Sequence, residues 1–445
     1  LQGGTINPLT LWRIIMKQVL FLICVMFSTV LLAAETIAPT NYDETKVPQF
    51  VLPDPLVMAD GRKVDSAKMW TEQRRPELLK LFEENMYGKP TLGEINVKAE
   101  LFESAPVFDG KAIRYQFQLV FFKGEKPLQD DPKADFLIYV PAKKNSNEKF
   151  PIFLGLNYMG NHAVNADPGI RLAKTIWDRG NGKQVPGKEE ERGKQSRRWP
   201  LETIFAHGFA VGTVYYGEIE PDFNGGIKHG VRRLIYKDDK KLQPNEGNAI
   251  ATWAWGLGKM LDVVTEFQDK LNVDPKKACV VGHSRLGKTA LWAGAIDPRF
   301  AVVVSNDSGC GGAALSRREF GETVHRINAV IPHWFCDNFK KYNLDVNSLP
   351  IDQHELVALI APRPVYIASA SEDLWADPKG EFLSGFYADP VYRLLGTNGF
   401  GNVTEMPSVN QSVGDHIGYH LREGKHDILE FDWIQFLKFA GRKIL

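Results

Sequence analysis

Short apolar runs bounded by Gly, Pro, Asn or Asp recur along this chain, and segments of helical period separate the later ones. Residues 95–102, 112–122 and 136–140 read as strands, the second with partial alternation. Residues 151–157, 209–216, 278–281, 301–304 and 365–368 are almost wholly apolar, the signature of strands covered on both faces. Helices are predicted over 66–86, capped by Ser66 and stopped by Gly88 and Pro90, over 248–268, and over a closing segment, 428–440. Trp253 and Trp255 lie at helical spacing and read as core. Buried strands alternating with helices predict an α/β protein, a three-layer αβα sandwich around a mostly parallel central sheet. Residues 35–65, rich in Pro and Asp without periodicity, read as an extended arm. Residues 178–198 form a charged insertion that reads as a solvated loop.

The termini refine this picture. From Met16 a lysine is followed by an apolar run and then by Ala33-Ala34, the pattern of a secretory signal peptide over 16–34. The run is shorter than the ~20 residues that span a bilayer. An exported protein, periplasmic or secreted, without a stable membrane anchor is therefore expected. Ile23 before Cys24 does not suit lipid attachment. Residues 1–15 read as an upstream segment, and 35–445 as one domain with an N-terminal extension, expected to be monomeric. The 54 basic and 54 acidic residues balance, which argues against nucleic acid as a partner. Cys279 falls in an apolar strand; Cys310 and Cys336 are expected to pair in an oxidising compartment.

The chemistry gathers around Gly282-His283-Ser284-Arg285-Leu286-Gly287-Lys288. A strand leads into it and a helix leaves it, so Ser284 sits on a strand–turn–helix elbow that exposes its hydroxyl. The usual pattern is G-x-S-x-G; here the second glycine is one place late. A serine needs a base, and a base needs an orienting carboxylate, in the chain order Ser, acid, His for an α/β-hydrolase fold. His426 lies in a Gly-containing loop before the closing helix; His416 and His420 compete with it. Asp307 follows the run 301–304 and Asp373 follows 365–368, so either is placed to be the acid. Arg285 and Lys288 lie on the first turn of the elbow helix, where cations are unfavourable by about 0.3–1 kcal/mol each. That cost suggests a use: Arg285 for an oxyanion hole, Lys288 for sugar hydroxyls or a carboxylate. No metal-ligand spacing and no cofactor motif is present.

This heptad resembles the G-C/H-S-R-x-G-K signature of the glucuronoyl esterases, carbohydrate esterase family fifteen, in its bacterial branch. The similarity extends to Arg74-Arg75-Pro76, Tyr215-Tyr216-Gly217, Thr252-Trp253-Ala254-Trp255-Gly256, Asp307-Ser308-Gly309-Cys310-Gly311-Gly312 and the stretch 372–382. The resemblance implies a serine esterase acting on 4-O-methyl-glucuronic acid esters that join glucuronoxylan to lignin alcohols. It implies Ser284 as nucleophile, His426 as base, Arg285 at the oxyanion, and Lys288, Glu322 and Trp375 against the glucuronoyl ring. Fungal members place a glutamate where Asp307 stands, and some bacterial members an aspartate at Asp373, so the acid stays open, with Asp373 favoured for reach. Fungal members also carry a tryptophan near Ser316, whose contact Trp375 is expected to replace. An acetyl-xylan or general carboxylesterase, and a non-catalytic carbohydrate-binding relative, are the alternatives.

Overall fold

The computed structural model describes residues 38–89, 91–142, 149–178, 180–236 and 242–445. The chain divides at Pro39, and Thr40–Leu445 form one compact unit. The expected signal peptide and the upstream segment lie outside the described residues. Among those described, no helix is long and apolar enough to cross a membrane.

In chain order the strands are β1 (Ile95–Val107), β2 (Ala112–Lys123), β3 (Lys133–Pro141), β4 (Phe150–Asn157), a small hairpin β5 (Ile176–Trp177) and β6 (Gln184–Val185), β7 (Ala210–Tyr215), β8 (Val273–His283), β9 (Val302–Asn306), β10 (Val365–Ala370), β11 (Ser412–Gly414) and β12 (Ile417–Arg422). All but the hairpin join one ten-stranded sheet in the order β1-β2-β3-β7-β4-β8-β9-β10-β12-β11. The run from β7 to β12 is parallel throughout. β1, β2 and β3 extend it antiparallel on one side, and β11 does so on the other. β1 is longer than its apolar run predicts because beyond the buried Ile95 it alternates exposed and part-exposed positions.

The longer helices are α1 (Arg75–Asn85), α2 (Ala249–Glu266), α3 (Arg285–Ile296), α4 (Pro378–Leu394) and α5 (Glu430–Ile444). Successive side chains of a strand point to opposite faces, so each parallel strand feeds two cores. Leu154, Val280, Val303 and Ile367 join α2, α3 and α4 on one face. Phe153, Val281, Val304 and Tyr366 join Trp433, Phe436 and Leu437 of α5 on the other. Trp253 of α2 is fully buried, as its spacing predicted.

Ser66 accepts a hydrogen bond from Met69 N–H at the start of the first helical stretch, as expected. Trp70–Arg74 then widens into a π-helical turn before α1. That turn carries Arg74 to the buried carboxylate of Glu355, at 2.9 Å. The N-terminal arm is extended and held by polar contacts: Asn41 O accepts from Gly321 N–H, and Glu44 pairs with Arg318 and Lys379. Cys310 and Cys336 do not pair; both are free and buried. The ring of Phe335, rather than its neighbour Cys336, packs on the Cys310 loop at Gly311, and burial pushes the Cys336 thiol up to about 11.

One aromatic stack fixes the depth of α3. Trp292 lies 4.4 Å from Tyr87, near parallel, and Tyr87 Oη donates to Gly311 O. Trp292 is fully buried. Trp292→Ala is therefore expected to cost about 3–5 kcal/mol, read as a lower urea midpoint at unchanged slope.

Candidate active site

Four neighbouring parallel strands end at one edge of the sheet, and each delivers one of the expected groups. Ser284 follows β8, Asp307 follows β9, Asp373 lies past β10 and His426 past β12. Residues far apart in sequence meet because a parallel sheet puts all its carboxyl ends together.

Ser284 sits at φ 57°, ψ −128°, a backbone state L-residues rarely adopt. Its N–H donates to Asn306 O at 2.8 Å, and its carbonyl accepts from Gly287 and Lys288 N–H. The turn closes tightly enough that a Cβ on Gly282 would lie 1.8 Å from Leu286 O. The displaced glycine has a separate cause. A Cβ on Gly287 would come 3.0 Å from Ser308 Cβ and 3.1 Å from Asn306 O, so α3 begins against the loop after β9. Leu286 points instead into the core, 2% exposed.

His426 Nδ1 lies 2.5 Å from Asp373 Oδ2. Its ring is stacked obliquely on His283, with centroids 4.5 Å apart. His283 is buried and pairs through Nδ1 with Asn306 Oδ1 at 2.8 Å. Burial and the neighbouring His426 and Arg198 hold its pKa well below the ordinary histidine value, so the ring behind the site is neutral. Asp307 takes a different place: its Oδ2 accepts from Asp427 N–H at 3.3 Å and lies 3.8 Å from Arg422. Burial, then the carboxylates of Glu381, Asp373 and Asp432, push Asp307 well above the usual carboxylate range. Asp307, Asp373 and His426 each bring one atom within 4.8 Å of the others, so Asp307 stands beside the pair, although the hydrogen bond to His426 Nδ1 is made by Asp373.

The competing histidines are placed elsewhere. His420 is fully buried between Asp432 and the Tyr366 hydroxyl. His416 pairs with Asp415 beside Lys443.

Neither cation of the elbow helix is a free surface charge. Arg285 lies 3.3 Å from Asp222, with its guanidinium 5.2 Å from the Tyr158 ring centroid and 5.3 Å from that of Trp334. Asp222 is buried and also accepts from Trp334 Nε1 and the Tyr216 hydroxyl and pairs with His333. Lys288 is 4% exposed; its Nζ donates to Ser308 O at 2.6 Å and reaches Glu322 at 3.4 Å. Glu322 N–H donates to Trp375 O at 2.9 Å, so Lys288, Glu322 and Trp375 form one cluster, with the Trp375 ring 38% exposed. Ser316 is buried, and its N–H donates to Asp352.

Sequence reasoning missed Glu381 of α4. It is fully buried and accepts from Ser308 N–H, Gly309 N–H and the hydroxyls of Ser308 and Ser369. Burial pushes it up to about 7, a shift moderated by the hydrogen bonds from Ser369, Gly309 and the Ser308 hydroxyl. It holds the loop whose carbonyl receives Lys288. Its only sequence signal is a carboxylate at a buried position of a helix. Asp222 lies in an irregular loop and carried no signal at all. The charged insertion is not merely solvated: its end, Arg197 and Arg198, contacts Asp427.

The sheet and its carboxyl-edge constellation define an α/β-hydrolase. The family model for fungal glucuronyl esterase matches residues 235–396. A carbohydrate esterase from an unknown prokaryotic organism is 50% identical over 406 residues, covering 90% of this chain and 91% of that one. A glucuronoyl esterase structure from Solibacter usitatus is 43% identical, with TM-score 0.84, covering 90% of this chain and all of the other. A structure described as a promiscuous esterase of carbohydrate esterase family 15, from a marine bacterial metagenome, is 47% identical, with TM-score 0.82, covering 91% of this chain and all of the other. The chain belongs to this family, the glucuronoyl esterases, and is a carboxylic ester hydrolase.

The elbow geometry has a direct test. In Gly282→Ala the methyl group would meet the backbone of Leu286, so the turn must open. Ester hydrolysis is expected to fall about 10²-fold or more, while far-ultraviolet circular dichroism still reports a folded sheet.

Proposed function

We propose that this enzyme hydrolyses esters of (4-O-methyl-)glucuronic acid, as carried on glucuronoxylan, through an acyl-enzyme on Ser284. The observation that carries the reading is the 2.5 Å contact between Asp373 and His426 at the sheet edge where the strained elbow presents Ser284. Asp373 orients His426 and stabilises its charged form. His426 takes the Ser284 proton as the hydroxyl attacks the uronate carbonyl, and returns it to the leaving alcohol. Water, activated by the same imidazole, then releases the uronic acid. Arg285, braced by Asp222, and main-chain N–H groups of the elbow helix face the developing oxyanion.

Substrate choice rests on the buried Lys288–Glu322 pair with Trp375 beside it. Charged groups this enclosed are retained where a polar ligand completes their hydrogen bonds, and an acyl group without hydroxyls leaves them unmatched. The signal pattern at 16–34 supports action after export.

Asp373 is assigned as the triad acid and Asp307 as the brace of the loop carrying His426. The Asp307 carboxyl binds the main-chain N–H of Asp427, whereas Asp373 holds the hydrogen bond to His426 Nδ1. Asp373→Ala is expected to lower kcat on benzyl glucuronate about 10²-fold or more, and Asp307→Ala by about tenfold. The reverse order would give Asp307 the acid's role. Ser284→Ala should remove activity almost entirely.

A second reading is a broad carboxylesterase, favoured by the promiscuity ascribed to the metagenomic relative. Rates on benzyl glucuronate and para-nitrophenyl acetate separate the two. A higher kcat/KM on the acetate would overturn the glucuronoyl assignment.

A further inference from the structure

His426 is 40% exposed, and its contacts are the Asp373 carboxylate and the oblique face of His283. The loop that carries it contains Gly424 at φ 107°. An imidazole so placed keeps its aim only if the main chain on either side of it is fixed. From inside, Arg422 donates to the carbonyls of Lys425 and Asp427, at 2.8 and 3.0 Å. From the sheet edge, Asp307 accepts from Asp427 N–H.

A third hold comes from the charged insertion. Its last turn, Ser196–Arg198, brings two guanidinium groups onto the carboxylate next to His426. Arg197 Nη2 lies 2.6 Å from Asp427 Oδ2, and Arg198 Nε lies 2.6 Å from Asp427 Oδ1. Asp427 Oδ1 also accepts from Ile428 N–H. The turn is anchored independently of these side chains, because Trp433 Nε1 of α5 donates to Arg198 O at 2.8 Å. An isolated exposed ion pair contributes little to stability, about 0–1 kcal/mol. Here Arg197 is 66% exposed, but Arg198 is only 20% and the carboxylate 10% exposed, and each carboxylate oxygen faces a guanidinium as an ion pair, so what the two arginines supply is a fixed counter-charge that keeps Asp427 in place.

We infer that Arg197 and Arg198 are positioning residues for His426, acting through Asp427, and that the insertion is thereby part of the catalytic apparatus. The inference rests on the reading of His426 as the base.

The test is a kinetic cycle on benzyl glucuronate, with each variant's melting temperature measured and assays run well below it. Arg197→Ala/Arg198→Ala and Asp427→Asn are each expected to lower kcat about 10- to 100-fold, with KM within about threefold. The triple variant is expected to be no slower than Asp427→Asn alone, since both changes cut the same connection. Arg198→Lys, which keeps a cation at Asp427, should recover part of the loss relative to Arg198→Ala. Multiplying losses in the triple variant, or an unchanged kcat in the double arginine variant, would overturn the inference. If Asp427→Asn does not fold, the double arginine variant and the Arg198→Lys recovery decide by the same criteria. His426→Ala separates the two layers. Full activity there removes the assignment of the base, whereas its inactivity beside a normal double arginine variant removes only the positioning role.

Discussion

The strained turn at Ser284 is the constraint on which the rest of this structure depends. A residue at φ 57° persists only where its surroundings over-determine it. Here Asn306 O receives its N–H, Gly282 permits Leu286 O to close over the strand end, and Gly287 lets α3 start against the Asn306–Ser308 backbone. β8, β9 and the base of α3 are thereby locked as one unit. The Tyr87–Trp292 stack and the burial of Leu286 hold that unit to the core beneath. The late second glycine answers to a neighbour of its own, the loop after β9, which leaves little room for a side chain at the start of α3.

Around this turn the protein buries an unusual density of charge. Asp307, Glu381, Asp432 and Asp222 are nearly inaccessible, as are Lys288 and Arg422. Each is matched by hydrogen-bond partners or by an opposite charge, Asp307 through Oδ2 alone. Glu381 shows the economy of the arrangement: four donors on one carboxylate shape the loop that in turn receives Lys288. Enclosure keeps the local dielectric low, which strengthens the pairing of Arg285 with Asp222 and of Lys288 with Glu322.

The peripheral segments serve the same edge. The N-terminal arm reaches Gly321 beside Glu322, and the insertion after β4 reaches Asp427 beside His426. Both connect regions remote in sequence to loops that a sheet edge alone leaves weakly constrained. They help explain how an exposed histidine packed on His283 and a half-exposed tryptophan beside Arg326 are held in place.

Much of this was legible before any coordinates. The parallel strands were legible as short apolar runs, because strands covered on both faces must be apolar at every position. Ser284 was legible because only a strand–turn–helix with flanking glycines builds an elbow, and His426 because it lies in a loop ahead of the last helix. Lys288 stood out by the cost of a cation on the first turn of its helix and Glu322 came through resemblance, with nothing in their local spacing to join them. β12 escaped notice since its Tyr, His and Arg disguise a buried strand whose polar groups are satisfied by Asp432 and Tyr366. The free state of Cys310 and Cys336, and the attachment of Arg197 and Arg198 to Asp427, depend on which side chains meet across the fold. So does the partner of His426: two aspartates after adjacent strands were both placed for the role, and Asp373 was favoured only for reach. Local sequence therefore determined the elements and the kind of chemistry, since period, turn residues and chain order are local properties. Tertiary structure alone decided which carboxylate meets the imidazole, because that depends on side-chain direction and burial at a sheet edge assembled from four distant segments.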